Sequence, residues 1–158
     1  MPDRRTPFVN ANERDTLLAF LDYLRESVLV KLDGLGEDDA RRALVPSGTN
    51  LLGLVKHLTF VEVYWLQNSF AGLAAATGDD LEPGDTCASV SAAYREAILR
   101  SNEIIMAVAD LETRSAARHR GDGPMSLRWV LVHMVEETAR HAGHADILRE
   151  QIDGTVGR

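Results

Sequence analysis

The sequence LRWVLVHMVEETARHAGHADILRE occupies residues 127 to 150 and predicts one long amphipathic helix. At about 100° per residue, several apolar side chains fall within about 40° of His141: Leu127, Val130, Met134, Ala145 and Leu148. Glu137 is about 40° to one side of His141, whereas Glu136 and Glu150 point toward water. Glu137 and His141 are therefore expected together on the apolar face. A carboxylate and an imidazole buried there need a partner that offsets their desolvation, and a metal ion is one such partner.

A third potential ligand, His57, lies on a second apolar helix predicted from about Leu51 to Phe70. Its expected buried stripe contains Leu54, His57, Leu58, Val61, Tyr64 and Trp65. Two imidazoles and one carboxylate suit zinc, nickel or divalent iron. Three protein ligands leave a position for water or substrate, as in catalytic zinc sites. A di-iron carboxylate bundle fits less well, because no Glu-x-x-His motif occurs.

Other interpretations of these residues stay open. Glu137 could pair with Arg140 or with an arginine from another helix, and the histidines could be satisfied by ordinary hydrogen bonds. His144 could be an alternative ligand, a hydrogen-bonding partner of a ligand or a substrate contact. His133 is expected at the boundary of the apolar stripe, and His119 is expected at the surface because glycines surround it.

The rest of the chain predicts an all-α four-helix bundle. Further helices are expected at about 12–33 and from Ala88 or Ser89 to about Leu111, with one short helix at 37–42. Thr49 or Asn50 is expected to cap the second helix, and Ser126 to cap the last, which runs to about Ile152. No segment alternates with a period of two, so no strands are expected. We assign 1–11 to a flexible lead, 12–154 to a single domain and 155–158 to a tail.

Composition limits the function classes. The chain has 158 residues and a formal charge of −7, which argues against nucleic acid or an anionic membrane as the main partner. No apolar run approaches the roughly 20 residues of a membrane span, and the N-terminus does not read as a secretory signal. Cys87 is the only cysteine and is read as a small apolar residue, so we expect a reducing cytoplasm. Long apolar helices often pair, which favours a homodimer.

Two segments resemble a known family. PSGTNLLGLVKH (46–57) and the 127–150 segment resemble DinB/YfiT-like metal-dependent proteins, and most closely the branch of mycothiol-dependent S-transferases and maleylpyruvate isomerases. The likeness runs from about Glu13 to Gly154. It implies a four-helix bundle with a metal site at one end of the core. The implied ligands are His57, Glu137 and His141, with Glu137 standing where many relatives have a histidine.

The resemblance also implies an activity. A low-molecular-weight thiol, mycothiol in this branch, would replace metal-bound water, bind as thiolate and attack an electrophilic small molecule. The isomerases have an added C-terminal region, so this chain is expected to be a stand-alone transferase. His144, Tyr64, Trp65 and Arg140 could contact substrate, and Arg140 or Arg149 could give a basic pocket. The alternatives are a metal-dependent hydrolase that uses bound water, a non-catalytic binding protein stabilised by metal, and a bundle without metal.

Overall fold

Helices make up most of the chain. A computed structural model describes residues 6–118 and 123–157, and His119 lies outside these ranges. The helices are α1 (Glu13–Leu29), α2 (Glu37–Arg41), α3 (Leu51–Glu62), α4 (Cys87–Ala107) and α5 (Leu127–Asp153). Helix α3 continues without a break as a π-helical segment, Val63–Phe70. The expectation of a mostly helical protein is confirmed.

Polar side chains begin the helices as the sequence predicts. The Asn50 carboxamide oxygen accepts a hydrogen bond from the Gly53 N–H at 2.9 Å, which selects Asn50 over Thr49 as the cap of α3. Ser126 caps α5 in the same way by accepting the Trp129 N–H at 3.2 Å. Gly154 ends α5 with a φ of 76°, a left-handed conformation that suits glycine.

Helix α1 ends at Leu29, earlier than the predicted end near Asp33. The next residues form tighter turns, in which the N–H of Lys31 binds the Val28 carbonyl and that of Asp33 binds the Val30 carbonyl. The Arg149 guanidinium donates to the carbonyls of Lys31 and Asp33 at 2.8 and 2.9 Å. An arginine from α5 thus satisfies two carbonyl groups just beyond the end of α1, where backbone acceptors lack helical partners.

The expectation of no strands is wrong. Strands β1 (Arg114–Arg118) and β2 (Pro124–Ser126) form a short antiparallel hairpin. Strand β1 packs against the π-helical segment. Gly72, with a φ of 73°, ends that segment, and a Cβ there would come within 3.0 Å of the Ala116 Cβ. The hairpin therefore rests on a position where only glycine fits well.

The long helices pack side by side around two apolar clusters. Helix α5 packs on α1 and α3, and α3 packs on α4. One cluster includes Val28, Leu52, Tyr94 and Leu148, and the other includes Leu21, Leu66, Ile105, Leu131 and Met134. Along α5, Met134 belongs to one cluster and Ala142 to the other, so Glu137 and His141 lie at the level where the two meet. Within 6–118 and 123–157, no helix has the length and apolar character needed to cross a membrane.

Candidate metal centre

The seam between α3 and α5 brings the three predicted ligands together. The rings of His57 and His141 have centroids 4.9 Å apart. The Oε1 atom of Glu137 lies 3.1 Å from Nε2 of His141 and 3.6 Å from Nε2 of His57. One donor atom from each residue lies within 4.8 Å of the other two. Residues eighty positions apart in the sequence thus converge on one small volume.

The donor set fits a divalent ion. Donor atoms about 2.1 Å from a tetrahedral zinc are roughly 3.4 Å from one another, and the two separations from Glu137 Oε1 are 3.1 and 3.6 Å. In addition, the second ring nitrogen of His141, Nδ1, is buried and has no hydrogen-bond partner among the described residues. Because Nε2 is the nitrogen that faces Glu137, an ion at this site would bind Nε2, and Nδ1 would carry the proton of the neutral ring.

The site lies at the rim of the core rather than inside it. Side-chain exposure is 15% for Glu137 and His141 and 31% for His57. Leu131, Thr138 and Ala142 are buried as well, so the centre of the buried face is about 40° beyond His141, on the side away from Glu137. The expected deep burial of Glu137 is therefore only partly realised. Because the buried face of α5 is centred away from Glu137, the three candidate ligands stay partly exposed, and small molecules can reach them.

The charges of the site favour an ionised Glu137 beside neutral histidine. Burial raises the pKa of Glu137, but the hydrogen bond and charge of His141, with contributions from Arg140 and His57, outweigh it and hold the pKa below its ordinary value. Burial lowers the pKa of His141, and this exceeds the opposing effect of Glu137. Metal ions bind these residues as carboxylate and unprotonated imidazole.

Arg140 holds the other side of the carboxylate. Its Nη1 lies 3.2 Å from Oε2 of Glu137, and its Nη2 contacts Glu136. The predicted pairing of Glu137 with Arg140 therefore exists, yet it uses Oε2 and leaves Oε1 directed at the two imidazoles. The arginine pairing and a metal site are compatible.

Sequence reasoning missed Asp79. Its carboxylate lies 3.4 Å from Nδ1 of His57, on the side of the ring away from Glu137. Metal-binding histidines commonly donate their other N–H to such a carboxylate, which fixes the ring and its tautomer. Asp79 belongs to the connection between the π-helical segment and α4, where no periodic pattern singles out one acid among several. Only the folded chain identifies it.

The remaining predicted site residues lie around this centre. His144 is exposed, and its ring centroid is 5.4 Å from that of His141. Tyr64 is 39% exposed, so its predicted burial is wrong, whereas Trp65 is 9% exposed and buried as expected. His133 is half-buried and contacts the Trp65 ring, with centroids 4.4 Å apart.

Comparisons with known proteins bear on the fold and the family of the chain. A DinB-like protein from Bacillus cereus ATCC 10987, known from a crystal structure, has the same fold with a TM-score of 0.70 at 21% identity. The similarity covers 91% of this chain and 95% of that one. No significant match was found among curated proteins. The sequence profile of the mycothiol-S-transferase family matches residues 16–154. The chain therefore belongs to the mycothiol-S-transferase family.

Proposed function

We propose that this protein is a divalent-metal-dependent S-transferase that activates a low-molecular-weight thiol, mycothiol, for attack on an electrophilic small molecule. The observation that carries the proposal is the position of Glu137 Oε1 between the Nε2 atoms of His57 and His141. The family match supports the choice of thiol. The two imidazoles and one carboxylate support zinc, and nickel or iron would also accept them.

Each side chain has a role in this proposal. His57, Glu137 and His141 would hold the metal, which when bound would favour the deprotonated form of the thiol at neutral pH. Arg140 would orient the Glu137 carboxylate through Oε2. Asp79 would fix the His57 ring. Glu137 in place of a third imidazole makes the ligand set more negative, which should keep a bound thiolate more nucleophilic.

The reaction would be a substitution at carbon. The thiol sulfur forms a bond to the electrophilic carbon, the leaving group departs with the electron pair of its own bond, and the thiol proton passes to solvent. The products are a thioether and the leaving-group anion, with one proton released to solvent. The partial exposure of His57 gives both reactants access to the site.

Metal analysis of purified protein tests the ligand set. The wild type should hold about one divalent ion per chain, and His57→Ala and Glu137→Ala should hold much less. Glu136→Ala is the matched control, because Glu136 is exposed and lies next to Glu137 but pairs with Arg140 and not with His57 or His141. Stoichiometric metal in both ligand variants would show that this ligand set is wrong.

Turnover assays test the reaction class. Consumption of an alkyl halide should require both the metal and mycothiol, and should fall to background in Glu137→Ala. Metal-dependent hydrolysis of an ester without any thiol would instead indicate a hydrolase. A melting temperature that falls on chelation, with no electrophile consumed, would indicate a non-catalytic binding protein.

We propose further that the long helices form a four-helix bundle, and that the protein acts as a cytoplasmic homodimer. Light scattering on the purified chain measures the mass of the particle. A monomer mass at all accessible concentrations would exclude the dimer.

A further inference from the structure

A row of aromatic and histidine side chains extends from the candidate metal centre along the interface between α3 and α5. We call Phe60, Tyr64, Trp65, Trp129 and His133 the aromatic strip. Phe60 stacks on the His57 ring with centroids 6.2 Å apart, and Tyr64 stacks on Phe60 at 5.6 Å. Trp65 contacts Tyr64 at 5.2 Å and Trp129 at 5.6 Å. The strip is therefore continuous with a candidate metal ligand.

The outer part of the strip faces solvent. Tyr64 is 39% exposed and Trp129 is 44% exposed, and Val132, one turn beyond Trp129 on α5, is 52% exposed. His133 stacks on Trp129 with centroids 5.2 Å apart and contacts the edge of Trp65 at 4.4 Å. The exposed indole of Trp129 therefore packs against other rings of the strip on its inner side. Single exposed apolar residues are common on protein surfaces, but a contiguous group of rings beside the candidate metal centre indicates a binding surface.

The chemistry of the strip favours a planar, uncharged ring. Aromatic rings bind one another by offset stacking or edge-to-face contact. The exposed members have only one hydroxyl and one indole N–H between them, which is too few converging hydrogen-bond groups for a polyhydroxylated molecule. Carboxylates border both ends of the strip, with Asp79 at His57 and Glu136 at 3.9 Å from His133, and they disfavour an anion.

We infer that the aromatic strip binds the aryl group of the electrophile, so that the preferred substrates are neutral electrophiles that carry a planar aromatic ring. This inference rests on the proposed S-transferase function. An aryl group against Tyr64 and Phe60 holds its reactive substituent one ring contact from His57. The strip then positions the electrophilic carbon and takes no part in bond making.

Binding can be measured without thiol and without turnover. Acetanilide and acetamide differ by one phenyl ring, and both are unreactive. Trp65 and Trp129 are the two tryptophans of the chain, and both belong to the strip, so intrinsic fluorescence reports on it directly. Acetanilide should change the emission with a saturable dependence on concentration, and acetamide should not.

Variants locate the binding. Tyr64→Leu keeps both fluorophores and should weaken acetanilide binding about three- to tenfold, the value of one aromatic contact. Trp129→Leu should do the same, with Trp65 as the remaining reporter. Met106→Ala is the matched control, because Met106 is 58% exposed on α4 and lies outside the strip. It should leave the affinity unchanged.

Kinetics then compare iodoacetanilide with iodoacetamide, which share one reactive carbon. The wild type should prefer the aryl compound in kcat/KM by about three- to tenfold, and Trp129→Leu should lose that preference. If acetanilide binds saturably but no thiol turnover is detected, the inference about the aromatic strip stands and the proposed S-transferase function is wrong.

Three results would overturn the inference. The first is equal response to acetanilide and acetamide. The second is a Trp129→Leu variant that raises the KM for mycothiol and not for the electrophile, because the strip would then bind the thiol. The third is an emission change that depends on the concentration of protein and not on that of the ligand, because the strip would then be a contact between two copies of the chain.

Discussion

Arg25 and Glu62 form a two-pronged ion pair inside the protein. Nε and Nη2 of Arg25 each lie 2.7 Å from a different oxygen of Glu62, and the two residues are 1% and 0% exposed. Nη1 of Arg25 donates to Asp22 and Asn102, each at 2.8 Å. Burial lowers the pKa of Arg25, but the charge and hydrogen bonds of Glu62, together with the smaller effect of Asp22, outweigh it and raise the pKa, so the guanidinium stays charged. The pair joins α1 to α3, and the bond to Asn102 adds α4.

Removing the charge of Glu62 should destabilise the fold strongly. Glu62→Gln removes the buried counter-charge of Arg25 and leaves only the half-exposed Asp22, and breaking a buried pair in this way costs about 3–5 kcal/mol. Urea unfolding at pH 7 measures the free energy of unfolding. Glu103→Gln is the control, because Glu103 pairs with Arg100 on the surface of α4 and should change stability little. A similarly small decrease in the free energy of unfolding for both variants would show that the buried pair contributes little to stability.

Sequence periodicity predicts the helices because each long helix has one apolar face and recognisable caps. It fails where tertiary contacts decide the structure. The hairpin strand Arg114–Arg118 reads RSAAR and has no alternation, so its pairing with Pro124–Ser126 comes from packing on the π-helical segment. The pairing of Arg25 with Glu62 joins residues 37 positions apart, and neither helix shows it alone.

The candidate site is predictable where it follows helical spacing. Glu137 and His141 are one turn apart, and the stripe of α3 adds His57. Tyr64 was misplaced because the predicted stripe was aligned on His57. The buried residues of α3 centre about 120° from His57, whereas Tyr64, two turns further on, falls within about 20° of His57 and so at the exposed edge.

Divalent metal should stabilise the folded chain. Zinc at about 100 times its dissociation constant adds roughly 2.7 kcal/mol, which raises the melting temperature of a chain of this size by about 5–10 °C. Thermal unfolding of chelator-treated protein, with and without zinc, measures the shift. Glu137→Gln should lose most of it, and Glu136→Gln should keep it. An equal shift in both variants would mean that zinc binds elsewhere.

Asp79 should act through His57. Asp79→Asn removes the carboxylate that faces Nδ1, and the loss of such a partner typically lowers metal affinity about 10- to 100-fold. Because Asp79 is half exposed, we expect the lower end of that range. Competition with a fluorescent chelator measures the affinity. Asp80→Asn is the control, because Asp80 is its exposed neighbour. Unchanged zinc affinity in Asp79→Asn would exclude a role for this carboxylate.

Cys87 should be a slow nucleophile, although it is the first residue of α4, where a helix N-terminus usually activates a thiol. Burial, followed by the nearby Glu37 carboxylate, raises its pKa to about 11. Both Glu37 oxygens accept the Cys87 backbone N–H, at 2.9 and 3.1 Å. The thiol therefore stays protonated at pH 8. Alkylation by iodoacetamide should be about 10- to 100-fold slower than for a free thiol.

The pH dependence of the alkylation rate tests whether the pKa of Cys87 is raised. Because the pKa is raised, the alkylation rate should keep rising about tenfold per pH unit up to pH 10, where a free thiol has already levelled off. Glu37→Gln removes one cause of the shift and should speed alkylation at pH 8. Cys87→Ser should retain mycothiol-dependent turnover within about twofold, since the proposed nucleophile is external. A folded Cys87→Ser variant without turnover would make Cys87 the nucleophile and exclude the proposed role of mycothiol.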